Sequence, residues 1–403
     1  MNTSNKLAVL LLLISALLTG CSSTTVKSTQ HNAIVRNTAP VAEQDLLDVG
    51  IDLFNPGADP ATAEKEGIYL QVRNAESRFF PMKIGKTLQD SGNWGVVRLV
   101  PGRQSEMDIW IDGQVLKSDG EKLGLRIRVQ DSTGKTWYAK DYDSTASKYA
   151  YDNSIRSRGE EPFQGLYNDI ANDLLVYMQK LKPADVANIR TITELKFARQ
   201  FSPEAFSDHI EANSRGIYSV KRLPADNDPT LDRIRKIRQR DNMFVDTLQD
   251  YYTSFETSME QPYREWRRMS YEETVALRQI RNDAAGKLLG GAVAVIGGIL
   301  AQGSNSRVIN TAGIVGIGAG AYLVKEGLDR REEAKIHVQA LEELGTSLNA
   351  ELEPRTIELD NNTVTLSGTV NQQYDQWRAI LKQIYMTETG QVTAPGKVPA
   401  NPD

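Results

Sequence analysis

The sequence has very little cysteine and histidine, and this scarcity excludes several classes of protein. The 403 residues include one Cys, Cys21, and three His, which are His31, His209 and His337. A disulfide framework needs paired cysteines, and a thiolate metal cluster needs several. The three histidines lie far apart and show no metal-ligand spacing. We therefore expect neither a disulfide-stabilised protein nor a metal-binding one.

Common catalytic and nucleic-acid-binding signatures are missing as well. No Gly-x-Ser-x-Gly or His-Glu-x-x-His motif occurs, and the Gly pairs at 290–291 and 297–298 do not follow a predicted strand, as a phosphate-binding loop would. The net charge of -5 and the pI near 5.5 argue against nucleic-acid binding. We expect a protein that is not an enzyme, has no cofactor and has enough residues for two or three domains.

A targeting signal occupies residues 1–20. Lys6 provides a cationic start, and the apolar run 7–18 is too short for a permanent membrane span. The sequence Leu18-Thr19-Gly20-Cys21 that follows resembles the lipobox of bacterial lipoproteins. The resemblance implies that Cys21 carries a diacylglycerol and a further acyl chain such as palmitate, which together anchor a protein stably.

Residues 21–45 are rich in Ser, Thr, Asn and Ala and show no hydrophobic period, which predicts a flexible tether. Ser22 stands where, in Gram-negative lipoproteins, an Asp would favour retention at the inner membrane. The resemblance therefore implies a lipid-anchored protein on the periplasmic face of the outer membrane.

Residues 46–182 predict a small α/β domain. The pattern indicates strands at 46–54, 94–100, 107–116, 123–130 and 137–142, and helices at 75–90 and 163–181. The last three strands are joined by short Asp/Gly turns and predict an antiparallel meander. The element order, with the phrases LQDSGNWGVVRLVP at 88–101 and DIWIDG at 108–113, resembles the domain shared by curli-secretion lipoproteins and the amino-terminal domain of the Tol-system propeller protein. The loop 149–163 is either a recognition loop or a solvated connection, and we favour the solvated connection.

Residues 183–350 predict a helical arm, with long helices at 231–261 and 263–301 that are broken or kinked at Pro262. Two basic clusters lie on these helices, Arg233, Arg235, Lys236, Arg238 and Arg240 in the first, and Arg264, Arg267 and Arg268 in the second. They could contact anionic lipid headgroups or an acidic partner. We favour a solvated helix face, because Asp232, Asp241 and Glu265 are interleaved with them.

The segment 284–325 contains two apolar, glycine-rich runs around a short polar turn, which predicts the tip of an antiparallel helical hairpin. Small residues recur at a spacing of four, the candidate helix-packing positions being Gly286, Gly290, Ala294, Gly298, Ala312, Gly316 and Gly320. This spacing lets helices approach closely and resembles glycine-zipper segments of envelope proteins. The hairpin could insert in a bilayer, pack against copies of itself, or form an intramolecular core, and the spacing does not choose between these.

Residues 351–386 predict a β-hairpin followed by a helix, and residues 387–403 a disordered tail. The phrase VTLSGTV at 364–370 resembles the core of BON domains, which are periplasmic modules suspected of binding phospholipid or envelope partners. The predicted fold class is therefore α+β: a small α/β domain with a mixed sheet, a long helical hairpin, and a small α-β-β-α module.

These features together predict a non-enzymatic, lipid-anchored envelope protein that serves as a structural or assembly component of an envelope or secretion machine. Its expected partners are the membrane through Cys21, envelope proteins, and either a second membrane contact or self-association through 284–325. The alternative is a lipid- or ligand-binding transport module of the outer membrane.

Overall fold

The computed structural model describes residues 32–39, 41–63, 67–100, 106–152, 161–288, 338–343, 352–359 and 362–390. The helices are α1 Leu70–Ser91, α2 Gln164–Met178, α3 Pro183–Phe201, the one-turn α4 Pro203–Phe206, α5 Pro229–Leu288 and α6 Val370–Glu388. Residues 338–343 are also helical. Short 3₁₀ turns occur at Glu43–Asp45, Lys148–Tyr151 and Ser207–His209.

The strands form one five-stranded sheet and two hairpins. They are β1 Val49–Ile51, β2 Val97–Leu99, β3 Ile109–Ser118, β4 Lys122–Asp131, β5 Thr136–Thr145, β6 Ile210–Ala212, β7 Tyr218–Val220, β8 Leu352–Leu359 and β9 Asn362–Gly368. The large sheet has the order β2-β1-β3-β4-β5. Strand β1 is parallel to both neighbours, and β3, β4 and β5 are antiparallel. The predicted α+β class, mixed sheet and meander are confirmed, whereas the β6–β7 hairpin was not predicted.

The meander is amphipathic, with one face buried under α1 and α2. Alternate residues of β4 are buried, namely Leu123, Leu125, Ile127 and Val129. On the opposite face Arg126 pairs with Asp141, and Arg128 with Asp112, each directly across from its partner on the neighbouring strand. The period of two in the sequence therefore sets the register of these strands.

Helix α1 begins at Leu70, five residues before its predicted start, and Pro81 lies in its interior. A proline there deprives the carbonyl four residues earlier of its helical N–H donor. That carbonyl belongs to Ser77, and it accepts a hydrogen bond from the Phe54 backbone N–H at 2.8 Å instead. The chain after β1 thus provides the hydrogen-bond donor that the Ser77 carbonyl lacks within the helix.

Helix α5 is continuous over 60 residues and passes through Pro262, where the sequence predicted a break or kink. Its length is about 90 Å at 1.5 Å per residue. The turns on both sides of Pro262 are held in the core, since Met259 and Tyr263 are fully buried and Trp266 is almost so. Packing of these turns offsets the cost of an internal proline, which is about 3 kcal/mol.

The carboxyl-terminal module packs on α5 through α6. The Trp377 ring stacks on Phe244 at a centroid distance of 5.1 Å. Thr369 caps α6 by accepting a hydrogen bond from the Gln372 backbone N–H. The hairpin predicted here is confirmed by β8 and β9, which pair antiparallel. Within the described residues, no helix combines the length and apolar character needed to cross a membrane.

Candidate functional site along the long helix

The predicted site residues fall almost entirely outside the described part of the chain. Cys21 does so, and of the seven helix-packing positions only Gly286 lies in a described element, in the last turns of α5. Within the described residues, the best-defined candidate site is instead the set of contacts that attach α5 to the rest of the protein.

Polar side-chain contacts fasten α5 from Arg235 to Arg278, and we call them the α5 contact strip. They are Arg235 with Glu194, Arg240 with Glu388, Asp241 with Arg378, Asp246 with Arg98, Gln249 with Leu99, Glu256 with Lys83, Tyr263 with Glu76, Arg267 with Glu161, and Arg278 with Glu121. The strip joins α5 to α1, α3, α6 and the sheet.

Gln249 occupies the open edge of the sheet beside β2. Its Oε1 accepts a hydrogen bond from the Leu99 backbone N–H at 3.0 Å, and its Nε2 donates to the Leu99 carbonyl at 2.9 Å. One side-chain amide thus provides both bonds that a neighbouring strand would make at this residue. An exposed strand edge can pair with another chain, and α5 covers this one.

Glu76 of α1 is the buried centre of the strip. Its Oε1 accepts hydrogen bonds from the Ser118 hydroxyl at 2.5 Å and from the Tyr263 hydroxyl at 2.6 Å, and its Oε2 lies 3.4 Å from Arg73 Nη1. Burial raises the pKa of Glu76 above its ordinary value, and attraction to Arg73 and the two hydroxyl bonds oppose that rise. Glu76 therefore connects α1, β3 and α5 through one carboxyl group.

Arg267 of α5 forms a second buried centre one turn beyond Tyr263. Its guanidinium donates two hydrogen bonds to the Glu161 carboxylate, and its carbon lies 4.4 Å from the centroid of the Tyr263 ring. Burial by itself would raise the pKa of Glu161, but attraction to Arg267 and hydrogen bonds hold that pKa below its ordinary value. The pair is therefore charged and mutually neutralising.

The turn between β3 and β4 lies directly against the backbone of α5. The Ser270 hydroxyl donates to the Asp119 carbonyl at 2.9 Å. Gly120 has a φ of +74°, and a Cβ added to it would lie 2.3 Å from the Arg267 carbonyl oxygen. Only glycine fits both the left-handed conformation and this close approach.

The structure corrects two predictions about these residues. Arg267 was expected on a solvated helix face, but only 3% of its side chain is exposed. Glu161 was expected in a solvated connection, but it points inward to Arg267. The first error had a visible signal: Met259, Tyr263 and Trp266 recur at helical spacing, and Arg267 lies on the same stripe.

The rest of the basic clusters agrees only in part with the favoured interpretation. Arg240 pairs with Glu388 of α6, and Arg238 donates to the Glu106 carbonyl at 3.3 Å. Arg235 pairs with Asp232 and Glu194, and Arg268 pairs with Glu265 and Glu272. Asp241 is an exception to the expected pairing within α5, because its partner is Arg378 of α6.

The ion pairs and hydrogen bonds of the α5 contact strip attach α5 to neighbouring elements. The buried carboxyl groups of Glu76, Glu161 and Asp241 accept hydrogen bonds from hydroxyl and guanidinium donors of neighbouring elements. Among the described residues, no group of three or more His, Cys, Asp or Glu side chains could hold a metal ion. The arrangement can hold a long helix in a fixed position on a small α/β unit.

Comparisons with known proteins add little. No protein-family model matches the chain, and no curated protein matches it. A solved structure of a variant PelC dodecamer from Paraburkholderia phytofirmans is similar, with 17% identity, a TM-score of 0.21, and coverage of 37% of this chain and 96% of that one. A second PelC dodecamer structure from the same organism gives 16% identity, a TM-score of 0.21, and coverage of 37% and 99%. Likeness at this level carries no argument about this chain.

Proposed function

We propose that this protein is a non-enzymatic lipoprotein, anchored through Cys21 to the periplasmic face of the outer membrane, and that it is a structural component of an envelope assembly. The α/β unit and the carboxyl-terminal module form its body. Helix α5 is held rigidly along this body and continues into the first residues of the glycine-rich segment 284–325. That segment contacts either further copies of the chain or a membrane.

The α5 contact strip is the observation that supports this proposal. A helix of about 90 Å joined to the body at many points cannot swing as a loosely tethered arm would. The contacts join it to several elements of the body, so its direction is fixed relative to all of them. A fixed helix that ends within an apolar segment suits a scaffold, because it sets the position at which that segment leaves the body.

Lipidation at Cys21 is tested by expressing the full chain in a bacterial envelope and measuring the mass of the mature amino-terminal peptide. We expect a mass that includes acyl chains, whereas the Cys21→Ser chain should carry none. An unmodified Cys21, or an uncleaved signal peptide, would contradict the anchor.

Assembly is tested by gel filtration and light scattering of the Cys21→Ser form without its signal peptide. We expect a discrete oligomer that Gly316→Leu disrupts, whereas Gln239→Leu, at an exposed position of α5, leaves it intact. A monomer that floats with liposomes would show that 284–325 contacts a membrane and not further copies of the chain. A monomer that does not float would overturn both forms of the scaffold proposal, and co-purified lipid would favour a transport module.

A further inference from the structure

Residues 32–37 run along α2, although they belong to the stretch that the sequence predicts to be a flexible tether. The Asn168 amide nitrogen donates to the Asn32 carbonyl at 2.9 Å. The Asn172 amide bonds the same segment twice, donating to the Ala33 carbonyl at 3.0 Å and accepting from the Val35 backbone N–H at 2.9 Å. Two asparagines, one helical turn apart, thus hold the backbone of this segment.

The end of α1 holds the next residues of the segment. The Asn93 amide nitrogen donates to the Val35 carbonyl at 2.8 Å. The Asn37 backbone N–H donates to the Ser91 carbonyl at 2.8 Å. Val35 is therefore held by its N–H from one helix and by its carbonyl from the end of the other.

Asn168 is held in place by groups that do not belong to the segment. Its Oδ1 accepts a hydrogen bond from Gln164 Nε2 at 3.0 Å, and the same nitrogen lies 3.0 Å from the Thr87 hydroxyl oxygen. Asn168 itself is 8% exposed. This support orients the amide nitrogen toward the segment whether or not the segment is bound, which lowers the entropy cost of binding.

Five hydrogen bonds to helix residues and their flanks involve the backbone of the segment. Three involve its side chains: Asn32 Nδ2 donates to Asp169 at 2.7 Å, and Arg36 Nε and Asn37 Nδ2 donate to the carbonyls of Asp90 and Gly92 at 3.4 Å. Val35 is 50% exposed. Asn32, Ala33 and Arg36 are also exposed, and only Ile34 and Asn37 are partly buried. Main-chain hydrogen bonds are the contacts that give affinity when proteins bind extended peptides.

We infer that Asn93, Asn168 and Asn172 form a binding site for an extended peptide backbone, which we call the asparagine site, and that its occupant is residues 32–37 of the same chain. The inference deepens the proposed function, and its consequence for the tether rests on the lipid anchor proposed there. A tether that ends at the asparagine site comprises residues 22–31, whereas a tether that ends at the predicted start of the α/β domain would comprise residues 22–45.

The difference in reach is large. A fully extended chain spans at most about 3.6 Å per residue, so the shorter tether reaches about 40 Å and the longer one about 90 Å. Occupation of the asparagine site therefore keeps the end of α1 and the outer side of α2 near the membrane. The asparagine site thereby limits the distance between the body and the bilayer.

Cleavage by trypsin at Arg36 tests the site directly. Arg36 is the only Lys or Arg between Lys27 and Lys65, so a cut there is unambiguous. In the full mature chain carrying Cys21→Ser, we expect cleavage after Arg36 to be slow relative to cleavage after Lys27, which lies outside the segment 32–37. Asn172→Ala should accelerate cleavage after Arg36 by about tenfold, because its two backbone bonds are lost.

Two further variants keep the test decisive. Val176→Ala, one turn along α2 at a position that is 49% exposed, should leave the rate at Arg36 unchanged. Asn93→Ala should accelerate it, which guards against a local defect of α2 in Asn172→Ala; thermal melting of each variant checks the fold. Equal cleavage at Lys27 and Arg36 in the parent chain, or no acceleration in either asparagine variant, would overturn the site.

The lipidated protein in vesicles of phosphatidylethanolamine and phosphatidylglycerol then tests the role in the tether. We expect the same slow cut at Arg36 and the same acceleration by Asn172→Ala. A chain without lipid at Cys21 would refute the anchor and with it the tether role, while the result for the unlipidated chain would still decide the peptide site. Fast cleavage at Arg36 in vesicles alone would show that the segment leaves its site at the membrane and would overturn the tether role.

Discussion

Arg267 of α5 and Glu161, just before α2, form a two-pronged ion pair in the protein interior, with Nη2 2.9 Å from Oε2 and side chains that are only 3% and 10% exposed. The pair links two elements that are 106 residues apart in sequence. Removing one partner of such a pair leaves the other charge buried, which is the costly case for ionic groups.

We predict that Arg267→Ala lowers the free energy of unfolding by about 3–5 kcal/mol, because it leaves the Glu161 carboxylate buried without its guanidinium. Urea denaturation followed by tryptophan fluorescence measures the loss. Arg264→Ala is the matched control, since its ion pair with Glu260 is far more exposed, with side chains 25% and 48% exposed, and such pairs are worth less than about 1 kcal/mol. Similar losses for the two variants would contradict the assignment.

The double variant Glu161→Leu/Arg267→Met tests whether the ion pair itself stabilises the fold. Well-packed apolar residues often replace a buried pair at little cost. We expect the double variant to be much closer to the wild type than Arg267→Ala is, so that the two sites couple strongly in a double-mutant cycle. Additive losses would indicate that the sites act independently.

Gly120→Ala should be more destabilising than Gly216→Ala, although the two glycines have nearly the same backbone conformation. Their φ angles are +74° and +75°, so alanine is strained similarly at both positions, by about 1–2 kcal/mol. A Cβ on Gly120 meets the α5 backbone, whereas a Cβ on Gly216 meets nothing within 4 Å. Thermal melting of the two variants compares them, and equal shifts would show that the turn does not press on α5.

The direction of the Glu76 pKa shift determines whether this residue's contribution to the free energy of unfolding rises or falls with pH. Burial raises that pKa above 4.5, with Arg73 and two hydroxyl donors opposing. A raised folded-state pKa means that the protonated form is favoured on folding, so the contribution is fully present below 4.5 and is lost as pH rises through the folded-state pKa.

We therefore expect the stability of the wild type relative to Glu76→Gln to decrease as pH rises, and then to level off above the folded-state pKa. Urea denaturation at a series of pH values from about 4 to about 8 follows this difference. Glu260→Gln, at a side chain that is 48% exposed, is the control and should show no such trend. A difference that grows with pH would mean that hydrogen bonding and Arg73 outweigh burial.

Gln249→Ala should expose the edge of β2 at Leu99. We expect the unfolding free energy to fall by about 1–3 kcal/mol, because the Leu99 N–H and carbonyl lose their partners in a partly buried place. Hydrogen exchange at the Leu99 amide measures the effect locally and should accelerate, while Asp250→Ala, at an exposed neighbouring position, leaves it unchanged. Unaltered exchange in Gln249→Ala would show that the edge is protected by other means.

The sequence by itself determined the elements whose cause is local. The alternation of Leu123, Leu125, Ile127 and Val129, with short Asp/Gly turns on both sides, was enough to predict the antiparallel meander, because side-chain period and turn chemistry act within a few residues. The hairpin before α6 was predictable for the same reason. The lipobox ending at Cys21 and the glycine spacing of 284–325 stay predictions, since these residues lie outside the described part of the chain, apart from the first positions of 284–325.

Only the tertiary structure decided which polar residues are structural and whether the prolines interrupt their helices. Pro81 is accommodated because the Phe54 N–H bonds the carbonyl it frees, and Pro262 because packing holds the turns around it. Arg267 and Glu161 look like surface charges in the sequence, and the backbone contacts of Asn172 depend on a segment 137 residues away. Such pairings arise from contacts between distant parts of the chain, and no local pattern specifies them.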